Sequence, residues 1–220
     1  MLNLRENNYL YLFVGLLVLL LFVPVALEIR PDARLLFVQM ALCVALILGV
    51  WSLTASRLWY ICGWLLTALS LIFTVFTQLS PNPVFTIGSN FILLLFCILS
   101  LIIALKDVLF GGGINFNKLL GSACIYLLLG IIWAELYYFV SLVSPGSFSG
   151  FSGDAQGGIQ DLLYFSFITL TTLGYGDIYP IKPVARSFAV FEAITGVLYI
   201  AMLVGSLVGA NLNLALTKGE

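Results

Sequence analysis

Apolar residues along this chain gather into long blocks separated by short polar breaks. Six blocks run approximately over 9–27, 35–53, 59–79, 84–105, 119–143 and 184–216. A hydrocarbon core about 30 Å thick takes about 20 apolar residues of helix, so each block is predicted to cross a bilayer. The breaks "EIRPDAR", "TASR" and "SPNP" are short and polar, as turns between antiparallel neighbours should be.

Two connectors depart from that pattern. The first, 106–118, carries three consecutive glycines that work against one continuous rigid helix. It divides a four-helix transmembrane domain over 1–105 from a second domain over 119–220, and is read as a cytoplasmic linker. The second connector, 144–183, is about 40 residues long and opens with "SPGSFSGFSGDAQGG", a glycine- and serine-rich exposed loop. Next comes "IQDLLYFSFITLT", apolar and proline-free but too short to cross, which predicts a half-helix that enters the bilayer and stops. The fold class is therefore an all-α membrane protein with six transmembrane helices and a re-entrant helix between the fifth and sixth.

The half-helix leads into "TTLGYGD", 171–177. Non-helical backbone at membrane depth survives only inside protein or beside a water-filled path. Carbonyls lining such a path need a cation. Successive carbonyls can face one axis if alternate residues take backbone angles that a side chain opposes, and Gly174 and Gly176 have that spacing. Thr172 adds a hydroxyl, another uncharged oxygen for a hard cation. One copy per chain makes part of a ring, and four chains supply the shell of about eight oxygens that replaces hydration water. The sequence Gly-Tyr-Gly-Asp also suits a surface turn, but a turn needs no apolar half-helix before it.

Composition narrows the classes. Of 220 residues 62% are hydrophobic and 9% charged, and the mean hydropathy is +1.14, which belongs in a bilayer. The net charge of −1 with no basic tract leaves no basis for a nucleic-acid partner. Histidine is absent, and no HExxH, GxSxG or paired acidic motif is present, so an enzyme is not expected. Cys43, Cys62, Cys97 and Cys124 all fall in apolar blocks without a CxxC pair and read as buried free thiols. Pro24 stands where a signal peptidase would want a small residue, so the first block is expected to remain as a helix.

The phrases "LLYFSFITLTTLGYGD" and "EAITGVLYIAMLVGSLVG" resemble the pore domain of the tetrameric potassium channel family, and in particular small bacterial channels of six spans. The resemblance covers 119–216 and implies a homotetramer in the cell membrane with potassium ions in its filter and no organic cofactor. The carbonyls of Thr172, Leu173, Gly174 and Tyr175 would bind dehydrated potassium, with the Thr172 hydroxyl innermost. Gly176 would turn the chain and Asp177 would stand at the outer mouth. Leu173 departs from the usual valine or isoleucine, which leaves inactivation open. Ile168 replaces an acid that some relatives pair with the mouth aspartate, so Tyr164 is the expected hydroxyl partner of Asp177. Gly196 occupies the place of the family's hinge glycine. Gly196, Ile200, Val204 and Val208 recur every four residues and predict one face toward the axis, where a ring of Val208 or Leu212 closes by dewetting.

A voltage sensor needs several arginines at helical spacing in one span. The fourth block has none, only Thr86, Ser89, Asn90 and Ser100 as polar groups. The filter's orientation puts both termini in the cytoplasm. Glu135 and Glu192 lie at similar depth in the pore spans, either as separately satisfied acids or as a proton-sharing pair. The expected function is passive, potassium-selective conduction without strong voltage gating. A non-selective cation channel of the same architecture is the alternative, and a membrane enzyme or scaffold the more distant one. Neither the gating stimulus nor a regulatory partner is written in the sequence.

Overall fold

The structure is a computed structural model, and it describes residues 9–29, 47–48, 57–79, 82–110, 116–151 and 158–218. Their regular elements are helices and one short ribbon, the helices being α1 (Tyr9–Ile29), α2 (Arg57–Leu79), α3 (Pro83–Phe110), α4 (Phe116–Val143), α5 (Gly158–Leu170) and α6 (Pro183–Lys218). The second predicted span, 35–53, lies outside the described residues except for Ile47 and Leu48, which are helical. Among the described residues three helical stretches are long and apolar enough to cross a membrane, Pro83–Leu109, Phe116–Val143 and Pro183–Ser206, and Tyr9–Leu21, Tyr60–Phe73 and Gly158–Leu170 are shorter apolar ones.

The predicted 106–118 linker is mostly helix. The run "KDVLF" contains no breaker, so α3 continues to Phe110, and α4 resumes at Phe116. Only 111–115, the glycine run with its two followers, separates them. The described residues form two compact units, one up to 110 together with 116–128, the other 129–218. The division falls within α4, not at the linker.

In the first unit α2 and α3 pack through aromatic rings. Phe85 stacks on Phe76 at 5.4 Å and meets Phe73 edge-on at 6.1 Å. Gly88 leaves room for the Phe73 ring, which a Cβ there would strike. At the start of α1, buried Tyr9 donates its hydroxyl to Asp107 at 2.7 Å, and its amide donates to Asn117 Oδ1 at 3.0 Å. The tyrosine ring lies over Gly121, and its carbonyl accepts the Cys124 thiol at 3.6 Å. Cys62, Cys97 and Cys124 are free thiols, Cys62 of them exposed, and Cys43 is outside the described residues.

The second unit is built on α5. This helix has 13 residues, so at about 1.5 Å per residue it reaches about 20 Å, short of a bilayer core. Its inner face supplies Leu162, Phe165 and Ile168 to a core shared with Tyr137, Phe148, Ile178 and Ala185. The rings of Tyr137, Phe148 and Phe165 form an edge-to-face triad with centroids 5.1 to 5.5 Å apart. The departure from an all-α reading is a two-residue antiparallel ribbon, β1 (Phe148–Ser149) on β2 (Tyr179–Pro180), which ties the loop before α5 to the strand leaving 171–177.

Candidate functional site

The segment after α5 is organised by the way the helix ends. Leu173 N–H donates to Ile168 O at 2.8 Å and Thr172 N–H to Thr169 O at 3.0 Å. These paired bonds, six residues and four residues round, are those of a Schellman cap, whose signature is a left-handed residue after the last turn. That residue is Thr172, with φ of 60°. Gly174 N–H also donates to Ile168 O, at 3.1 Å. With Thr171 N–H on Phe167 O at 3.0 Å, the first four amides of the segment are satisfied on the helix side, and its carbonyls are left for another partner.

The left-handed geometry repeats. Thr172, Gly174 and Gly176 have φ of 60°, 54° and 80°, every second residue over five. Sequence spacing gave the two glycines and missed Thr172, because glycine or asparagine is the ordinary choice at such a cap. A β-branched residue there is strained by about 1–2 kcal/mol. Residues 171–177 are exposed within the single chain, Leu173 and Tyr175 among them.

Asp177 closes the segment. Tyr164 donates its hydroxyl to Asp177 Oδ2 at 2.8 Å, and Ile178 N–H donates to Asp177 Oδ1 at 3.0 Å. Donation by Tyr164 favours the ionised carboxyl and holds Asp177 below the ordinary aspartate range. Gly150, with φ of 94°, fits against the Asp177 carbonyl where a Cβ would collide with it. Beyond the ribbon, Ile181 N–H donates to Ser147 O at 2.7 Å and Lys182 Nζ to Pro145 O at 2.7 Å. The end of the segment is thus held to the chain before α5 as well as to α5 itself.

The inner-helix expectations fare differently. The helix α6 runs unbroken through Gly196. Gly196 faces its own chain, so close to the Leu170 carbonyl that a Cβ would overlap it, whereas Ile200 and Val204 are exposed. Gly196 is thus covered by α5, whereas Ile200 and Val204 are left open within the chain. Each four-residue step overshoots a full turn by about 40°, and the row curls round the helix. The side chains of Val208 and Leu212 lie outside the described ones.

The two acids are not joined. Glu192 is hydrogen-bonded to the hydroxyl groups of Tyr137 and Ser166, whereas Glu135 is buried with Oε2 unpartnered among the described residues. Equal depth left separate acids and a pair both open, and the two are separate. Tyr137 reaches Glu192 from α4, and a residue two places away is about 200° round the helix, so Glu135 points to the other side. Tyr137 and Ser166 were missed, although a serine inside the apolar run "LLYFSFITL" was the available signal.

Comparison with known proteins bears on this region. Residues 124–212 match the family model described as an ion channel. Over 70 residues the chain is 36% identical to "Two pore potassium channel c" of Oryza sativa subsp. japonica, a match covering 32% of this chain and 15% of the relative. Over 90 residues it is 32% identical to "Two-pore potassium channel 5" of Arabidopsis thaliana, covering 38% and 22%. Over 93 residues it is 28% identical to "Voltage-gated potassium channel" of Aeropyrum pernix, covering 42% and 28%. The match thus spans no more than 28% of the length of any of these relatives. No solved structure matches. Residues 124–212 are thus similar to an ion-channel family, and the three relatives they resemble are named as potassium channels.

Proposed function

We propose that this chain is the pore-forming subunit of a potassium-selective channel, active as a homotetramer in the cell membrane and not strongly voltage-gated. On this reading six spans cross the bilayer, α5 is re-entrant, and both termini are cytoplasmic. Four copies of Thr172, Leu173, Gly174 and Tyr175 line the axis, with potassium ions as the transported substrate. The observation that carries the reading is the alternation of left-handed residues at 172, 174 and 176. Alternating handedness turns successive carbonyls to one side, and the Leu173 and Gly174 amides are already occupied by Ile168. A stack of uncharged oxygens suits a dehydrated monovalent cation.

Two further features support it. The inner helix is sparsely covered by its own chain, with Phe191, Ile194, Val197, Leu198 and Met202 all exposed, as expected of a helix whose neighbours are other subunits and lipid. The half-helix α5 aims its C-terminal end at 171–177, and its partial negative charge favours a cation there. Ion flux tests the reading. Vesicles carrying the purified protein and loaded with potassium should lose it to a potassium-free bath containing a proton carrier, whereas sodium-loaded vesicles should not. Equal release of both ions would make it a non-selective cation channel, and release of neither would remove the channel reading.

A further inference from the structure

The joint of three helices behind α5 poses a counting problem. Ser166 Oγ lies 2.7 Å from Gly130 O on α4 and is also hydrogen-bonded to Glu192 Oε1 on α6. Tyr137 Oη on α4 is hydrogen-bonded to Glu192 Oε2 at 2.5 Å. Each of these three oxygen–oxygen contacts needs one hydrogen between its atoms. The two hydroxyls bring one apiece, and the Gly130 carbonyl brings none. Ser166 must spend its hydrogen on Gly130, because an acceptor-only carbonyl at that distance is otherwise repulsive. Tyr137 spends its own on Glu192. The hydrogen between Ser166 and Glu192 is then missing unless the carboxyl supplies it.

Water cannot make up the difference: Tyr137, Ser166 and Glu192 are each 0% exposed within the chain, and Ser166 stands between the two helices. No cation among the described residues faces the carboxyl. On its own helix Arg186 turns to Pro180 O at 3.2 Å, Lys182 is held by Ser144 and Pro145, Asp161 lies at the far end of α5, and Glu135 points round the other side of α4. An unpaired charge at this depth is costly, whereas a neutral acid completes every bond.

We infer that Glu192 is a proton-binding site, occupied at neutral pH, and that its proton locks α6 to α5 behind the filter. The lock has a defined reach. Glu192 and Gly196 are one turn apart on α6, and they meet Ser166 and Leu170, one turn apart on α5. Leu170 is the last residue before the capped segment. Close approach of α4 is part of the same design, since a Cβ on Gly130 would stand 2.6 Å from the Phe167 ring. Loss of the proton leaves Ser166 with two acceptors and one hydrogen, so either the Gly130 or the Glu192 contact opens and the end of α5 loses its support.

Infrared spectroscopy of the purified full chain reads the proton directly, whether or not the protein conducts. At neutral pH the difference between wild type and Glu192→Gln should contain the C=O stretch of a protonated carboxyl, and that band should vanish at alkaline pH. Ser166→Ala keeps the acid but removes its partner, so the band should move, which serves if the Gln variant does not fold. A difference spectrum holding only carboxylate bands, or a spectrum unmoved by Ser166→Ala, overturns the inference. In vesicles, potassium release should fall at alkaline pH in wild type and stay constant in Glu192→Gln, whose amide can donate to Ser166 and accept from Tyr137. Release that falls equally in both also overturns it. If neither protein conducts but the band is present, the proton site stands and the channel reading falls.

Discussion

Gly196 meets Leu170 backbone to backbone, with the helix carbonyl at the end of α5 filling the space a side chain on α6 would occupy. The partner is main chain in a capped helix end and cannot rotate aside. Gly196→Ala should therefore cost about 1–3 kcal/mol, the usual range for overpacking. A thermal melt in detergent would show it as a lowered midpoint, with Gly205→Ala, which meets nothing within 4 Å, as the control. Equal melting of both variants would show that the two backbones do not approach so closely.

The Tyr164 bond makes a pH prediction with a definite sign. Asp177 is held below its ordinary value in the folded protein. The stabilisation it provides is therefore complete above the unfolded value of about 3.9 and is lost as pH falls through the lower folded value. Currents should keep their steadiness down to mildly acid outer solutions. Tyr164→Phe removes the donor, so acid-induced decay should begin at higher pH and decay during sustained activity should quicken, with selectivity unchanged. Wild-type decay in the variant would show that Asp177 is held by other groups.

Thr172 offers a test in which stability and function part company. Glycine at this left-handed cap would relieve about 1 kcal/mol of backbone strain. Thr172→Gly should melt higher than wild type and, in the proposed tetrameric channel, conduct potassium less well, because a ring of hydroxyls would be lost. A variant that conducts normally would show that the threonine oxygen is not used.

Much of this site was legible because its signals are local. The half-helix was expected over 159–171 and is found at Gly158–Leu170, since an apolar, proline-free run bounded by glycines and a filter-like segment leaves little choice. The alternate glycines and the tyrosine thirteen places before Asp177 were legible for the same reason. What stayed open was azimuth. Depth along a helix can be counted from the sequence, but which way Glu135, Gly196 or Tyr137 points depends on where neighbouring helices lie. The strained Thr172 escaped because its conformation belongs to a cap closed by Ile168 and Thr169, which no composition rule reveals.

The fourth predicted span, within α3, supplies a prediction about gating. It carries no arginine, Ser89 donates to Thr86 O at 2.9 Å, and Ser100 is buried. Each charge crossing the membrane field is worth about 2.3 kcal/mol per 100 mV, and the span 84–105 carries none, Lys106 and Asp107 following it. Open probability should vary only weakly with potential in planar-bilayer recordings. Steep activation equivalent to several elementary charges would place a sensor elsewhere in the chain.

The most direct test of potassium selectivity is the reversal potential of single channels formed by the purified protein, with potassium on one side of a bilayer and sodium on the other. A filter lined by the carbonyls of 172–175 predicts a reversal potential displaced far toward the potassium equilibrium potential. A reversal near zero, with sodium carrying current as readily as potassium, would contradict it.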